Sequence, residues 1–217
     1  VLTLTNSPFR LGLIGTLQFA PVLFLSVFAG AVADRFPKRR ILVATQATLA
    51  CQATALGVLA WTGQAQYWHV AVLGVVLGLA NAIDLPARQS YIAEMVGRED
   101  LVNAVALNSA AFNAARIVGP AVAGVMIGAL GLVPPFLVNA VGYVVVIVAL
   151  STLSSGAKPA SRPLRGVLSD VGEGLEYALR TPQIRLTLGL LFVVSLSVFN
   201  FTVYVPLLAR DVLGLGP

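Results

Sequence analysis

Six apolar runs fill most of this sequence, each about as long as a helix must be to cross a bilayer, roughly 20 residues. They lie near Leu11–Ala33, Ile41–Trp61, His69–Ala87, Leu101–Leu130, Pro134–Leu153 and Leu186–Leu208, and short turns part the first five. A backbone in lipid must satisfy its own hydrogen bonds, so runs of this length predict helices. Of the 217 residues, 58% are hydrophobic and 11% charged. A soluble domain carries about 25% charged residues. A mean hydropathy of +0.88 leaves too little polar surface to face water all round. The 20 glycines suit helices that approach one another closely in lipid. The expected fold class is an all-α polytopic membrane helix bundle.

A net charge of +5 would suggest a nucleic-acid partner in a soluble protein. Here the basic residues sit at span ends, which is the pattern that sets membrane topology, and no nucleic acid is expected. One set of connections holds Arg35, Lys38, Arg39, Arg40, Arg88, Arg98, Lys158, Arg162, Arg165, Arg180 and Arg185. The other holds only Arg10 and Arg210, and Arg116 lies inside a span. The first set is therefore expected in the cytoplasm, with the chain a multi-pass protein of a bacterial inner membrane. The turns Gly63–His69 and Gly131–Pro135 then face outward, with Tyr67 and Trp68 as interfacial anchors. His69 beside them reads as a boundary residue. Cys51, the one cysteine, reads as a packing residue.

Ser154–Gln183 differs in kind. It opens as a linker rich in Ser, Gly and Pro. Leu164, Leu168, Val171, Leu175 and Leu179 then recur at helical spacing, with Asp170, Glu173 and Glu176 on the other face. This predicts an amphipathic surface helix ended by Pro182.

The turn Gly30-Ala-Val-Ala-Asp34-Arg35-Phe-Pro-Lys38-Arg39-Arg40 joins the first two spans. It resembles the loop between the second and third helices of the major facilitator superfamily, with Pro37 where that family has a glycine. The resemblance implies two six-helix halves joined by a cytoplasmic linker. Residues 1–153 would run from the end of helix one through helix six, 154–183 would be the linker, and 184–217 would begin the second bundle with helix seven. The chain starts at Val1 with no signal peptide. It is thus expected to be a piece of a longer transporter whose C-terminal half is missing, and not to transport alone.

The same resemblance implies a cytoplasmic latch. Asp34, in the motif begun by Gly30 and carried on by Arg35, Lys38 and Arg39, would pair with Arg88. Lys38, Arg39 and Arg40 would also set topology and touch anionic lipid. Gly119-Pro120-Ala-Val-Ala-Gly124 resembles the fifth-helix motif of drug/proton antiporters, with Ala115 and Ala123 at two of its glycine positions. Pro120 would kink that helix, and its small neighbours would let it press on another. Asn81, Asp84, Asn113 and Arg116, with Asn108 nearby, are candidate cavity or coupling residues, because a charge inside a span suggests function. Asp84 has two expected partners, Arg116 or Arg88 four residues on. Gln18 is a further cavity candidate.

Asn81-Ala-Ile-Asp-Leu-Pro-Ala-Arg-Gln-Ser90 with Asn103-Ala-Val-Ala-Leu-Asn108 is similar to the drug and siderophore exporter branch of the superfamily, which includes enterobactin exporters. That branch implies proton-driven efflux of a drug, siderophore or other amphiphilic small molecule. No zinc spacing, nucleotide loop or nucleophile motif is present, so no metal or cofactor is expected. The alternatives are a membrane-embedded enzyme and a non-transporting scaffold. The first needs clustered His or acidic groups at one depth, and the second needs no Asp-Arg latch.

Overall fold

The computed structural model describes residue 5 and residues 7–96, 99–153 and 176–198, with side chains throughout except at 26–35 and 196–198. Six helices are described: α1 Pro8–Arg35, α2 Lys38–Trp61, α3 Tyr67–Val96, α4 Leu101–Leu130, α5 Val133–Thr152 and α6 Pro182–Val198. No strand occurs among the described residues. The first five are long and apolar enough to cross a membrane. The chain divides into two compact units, Leu17–Arg162 on the one hand and Val1–Thr16 with Pro163–Pro217 on the other.

The elements differ from the sequence expectations mainly in length. The third span does not end at Ala87 but continues to Val96. Pro86 does not stop α3, since a membrane helix tolerates proline where neighbouring groups re-satisfy the freed carbonyl. At 1.5 Å per residue, its 30 residues reach about 45 Å, longer than the roughly 30 Å hydrocarbon core. Pro120 likewise lies within an unbroken α4. The last span starts at Pro182, where proline suits the first helical turn. Its expected end near Leu208 is outside the described residues. So is the expected amphipathic helix, apart from a helical turn at 176–180 that breaks at Thr181.

Turn chemistry separates the helices. Gly63 has φ +68° just past the end of α2, the left-handed position that favours glycine. Gly131, at φ +86°, plays the same part after α4. Pro134 and Pro135 then open α5.

In the larger unit α2 is the central helix and packs against both α3 and α5. Its buried stripe is Lys38, Ile41, Leu42, Thr45, Gln46, Leu49, Gln52, Ala53 and Gly57, at the 3–4 residue spacing of one helix face. Ile41 and Leu42 of α2, Ala87 and Tyr91 of α3, and Leu150 of α5 form the core at the basic end. At the opposite end Gly57 lets α5 close in, because a Cβ there would stand 3.3 Å from Phe136 Cβ. The tightest approach joins α3 to α1. A Cβ on Gly78 would fall 2.2 Å from the backbone oxygen of Gln18. Gly74 and Gly78 are four apart, the small-residue spacing of close membrane crossings.

The expected pressing of α4 on another helix through Gly119 and Gly124 has no counterpart among the described residues. Among the described residues nothing lies within 4 Å of a Cβ built on Gly119, Gly124 or Gly128. No residue of α4 is buried. Glycine alone does not create an interface; a facing backbone does, and α3 has one at Gly78.

Replacing Gly78 with Ala should therefore force α1 away from α3. Thermal unfolding of the 217-residue chain in detergent should show a loss of about 1–3 kcal/mol, the usual cost of overpacking. Gly124→Ala, with open space around it, should leave the midpoint unchanged or raise it.

Candidate functional site

Asn81, Asp84 and Arg88 recur at three and four residues along α3 and so share a face. Asp84 is 5% exposed. A carboxylate at this depth in an apolar helix costs several kcal/mol unless it is hydrogen-bonded and paired. Both requirements are met. Thr45 Oγ1 donates to Asp84 Oδ1 at 2.7 Å, and Gln46 Nε2 donates to the same oxygen at 2.9 Å. Arg88 donates twice to Oδ2, from Nε at 3.0 Å and Nη2 at 2.8 Å. The Thr45 hydroxyl also reaches the Leu42 carbonyl at 3.0 Å, but its one proton goes to the stronger, charged acceptor.

This ion pair lines an open cavity of about 680 Å³. Gln46 and Leu49 of α2 and Asn81, Asp84, Leu85, Arg88 and Gln89 of α3 line one side. Asn108, Ser109, Ala111, Phe112 and Asn113 of α4 line another, with Asn139, Gly142, Tyr143 and Val146 of α5. Carboxamides and hydroxyls thus gather around one ion pair inside a bundle whose outer surface is apolar. Leu107, Ile117 and Val125 of α4 are each more than 70% exposed.

The structure brings together Asn81, Asp84, Arg88 and Asn113 at the cavity wall. Asn113 Nδ2 also donates to the Ser109 carbonyl at 2.9 Å. Of the two partners open to Asp84, the structure selects Arg88. Arg116 is exposed on α4 and does not line the cavity. Gln18 is half-buried on α1, where its carbonyl faces Gly78, and it too is absent from the cavity wall. Gly30, Asp34 and Arg35 form the last turns of α1. The Asp34 side chain, and with it the expected Asp34–Arg88 pairing, lies outside the described residues.

At the basic end, Lys38 is buried rather than lipid-facing and forms an ion pair with Glu94 of α3. Arg39 donates from Nη2 to the Ser151 carbonyl in the last turn of α5, where a cation suits the helix dipole. These two side chains tie the start of α2 to the ends of α3 and α5. At the opposite end His69 Nδ1 accepts from the Gln66 backbone N–H at 3.1 Å, and its ring lies tilted against Trp68. His69 thus caps α3, as a glutamate does in a capping box. Among the described residues no three His, Cys, Asp or Glu side chains gather closely enough to hold a metal.

Sequence reasoning missed Thr45, Gln46, Glu94, Gln89, Asn139 and Tyr143. A signal was present for the α2 pair. Thr45, Gln46 and Gln52 are polar residues within an apolar run, on the same stripe as Leu42 and Leu49.

Comparison with known proteins adds the family. The pattern described as a transmembrane secretion effector matches residues 1–217. The staphyloferrin A transporter of Staphylococcus aureus is 30% identical over 148 residues, covering 68% of this chain and 37% of that protein. The multidrug efflux pump Tap of Mycolicibacterium fortuitum is 32% identical over 187 residues, 82% of this chain and 46% of the pump. The enterobactin exporter EntS of Shigella flexneri is 22% identical over 179 residues, 82% of this chain and 43% of the exporter. The chain thus spans less than half the length of each of these three curated relatives. No solved structure matches it significantly. With its apolar helices, its turn motif and a pattern match along its whole length, the chain belongs to the transmembrane secretion effector family of major facilitator superfamily transporters.

Proposed function

We propose that this chain is the N-terminal part of a secondary active exporter that moves an amphiphilic small molecule, a drug or a siderophore, out of a bacterial cell. The observation that carries this reading is a mostly apolar cavity in which a few polar groups converge around Asp84 and Arg88. An apolar recess with a few placed polar groups and one ion pair is the form a small-molecule site takes, and an ionisable pair inside a span marks function. The names of the relatives point to drugs and siderophores as cargo.

In this reading protons drive export, the membrane is the inner membrane, and the basic connections lie in the cytoplasm. Eleven of the basic residues sit on that side, which supports the orientation. A second six-helix half completes the transporter, because alternating access needs two halves rocking about a site between them. The turn at Gly30–Arg40 is the latch of this cycle. Arg88 already holds one acid, Asp84, so Asp34 would act by competing for the same guanidinium. Exchanging one acid for another lets a charge move without leaving it unpaired in a medium of low dielectric.

Two outcomes are expected. In the full-length transporter, reconstituted in vesicles, Asp34→Asn should slow export of a fluorescent amphiphile at least severalfold while membrane insertion stays normal. Unchanged flux would remove Asp34 from the mechanism. Residues 1–217 alone should insert but give no proton-gradient-dependent flux above that of empty vesicles. Flux that depends on the gradient and is lost in Asp34→Asn would show that these residues suffice.

A further inference from the structure

The cavity presents its two charges unequally. The Asp84 side chain is 6% exposed and that of Arg88 is 40% exposed. Both Asp84 oxygens already accept two bonds each, from Thr45 and Gln46 on one side and from Arg88 on the other. The carboxylate therefore has no lone pair left to offer a ligand. Arg88 spends two N–H groups on Asp84 and keeps three more, with no further acceptor among the described residues. No other charged side chain lines the cavity. A solute entering it meets the partly open Arg88 guanidinium beside the enclosed Asp84 carboxylate, the neutral carboxamides of Asn81, Asn108 and Asn139, and the ring of Phe112.

We infer that the cavity selects molecules carrying an anionic oxygen group, a carboxylate above all, on a partly aromatic body with hydrogen-bonding groups, and that it disfavours organic cations. This rests on the transport reading and names the substrate class of the same site. Asp84 is a positioning residue in this scheme. It holds the guanidinium plane and keeps its own charge beneath the surface. The planar fork of Arg88 matches the two oxygens of a carboxylate, which a point charge on lysine does not. The carboxamides can donate or accept, so they serve varied bodies behind the anionic head. A phosphate offers similar oxygens, and an anionic lipid headgroup is a second source of the same chemistry.

The test measures binding to the 217-residue chain in nanodiscs of phosphatidylcholine, with three fluorescent probes of one size. They are pyrenebutyrate, its methyl ester, and pyrenebutyltrimethylammonium. The carboxylate should bind about tenfold more tightly than the ester, the size expected of one charge-assisted hydrogen bond, and the cation should bind most weakly. This comparison uses the unaltered chain, so it needs no variant to fold. The double change Asp84→Asn with Arg88→Gln, which leaves no buried charge unpaired, should bring carboxylate and ester within about twofold. Arg88→Lys should retain a preference of smaller size. Equal binding of carboxylate and ester by the unaltered chain, or strongest binding of the cation, would overturn the inference. So would a preference that survives the double change. Nanodiscs containing phosphatidylglycerol separate the two sources: displacement of pyrenebutyrate by that lipid would assign the anion site to lipid and overturn it as a substrate site. A carboxylate preference beside a full-length protein that moves no solute would sustain the selectivity and sink the transport reading. Export of cations with no carboxylate preference would do the reverse.

Discussion

A buried carboxylate decides how this bundle is put together. Asp84 lies within a helix of 30 residues and is almost sealed from the surroundings. Left alone it would cost several kcal/mol, and removing one member of such a buried pair typically costs about 3–5 kcal/mol. The chain answers with donors from two helices. Arg88 comes from the next turn of α3, and Thr45 with Gln46 comes from the facing stripe of α2. That second requirement fixes the register of α2 on α3. Sliding α2 by one turn would carry both donors about 5.4 Å away and leave Asp84 Oδ1 with no partner. The neighbouring core of Ile41, Leu42, Ala87 and Tyr91 assembles in the register so set.

The remaining helix contacts follow from the poor driving force for helix association in lipid. Lipid tails are as apolar as leucine, so helices meet where packing or polar bonding offers more than lipid does. Gly78 and Gly57 provide packing, since each admits a facing helix at a distance a side chain would forbid. Lys38 with Glu94, and Arg39 with Ser151, provide polar bonding at the basic end. α5 shows the other case, with Val141, Val144, Val145 and Val148 exposed in a row. In water such a surface would aggregate. In a bilayer it is the surface that meets lipid.

The same economy of polar groups explains the cavity. Carboxamides and hydroxyls on α2, α3, α4 and α5 are costly against hydrocarbon, and here they face a shared recess. One ion pair in its wall gives it an electrical asymmetry, because the acid is enclosed by its donors while the base is left partly open. Under the proposed export reading, the cavity must bind its cargo weakly enough to release it. Neutral hydrogen-bonding groups around one ion pair suit that need better than several unpaired charges, which would grip a matched ligand and exclude most others.

Much of this was legible in the sequence by itself. Membrane spans follow from run length and the backbone's need for hydrogen bonds, so α2, α4 and α5 fall within three residues of their expected bounds. Asp84 and Arg88 stood out because charges inside apolar runs are rare, and their spacing of four allowed the pairing that is found. The family could be read from the turn at Gly30–Arg40 and from the Asn81–Ser90 stretch. Only the tertiary structure chose between Arg88 and Arg116 as partner to Asp84, since helical spacing says which residues share a face but not which face meets which helix. It alone brought Thr45 and Gln46 onto that carboxylate from 39 and 38 residues away in sequence. It also placed a close helix approach at Gly78, opposite Gln18. The physical reason is the same in each case. A glycine, an amide or a hydroxyl carries no label of its contact, and its role is set by what stands opposite once the helices are packed.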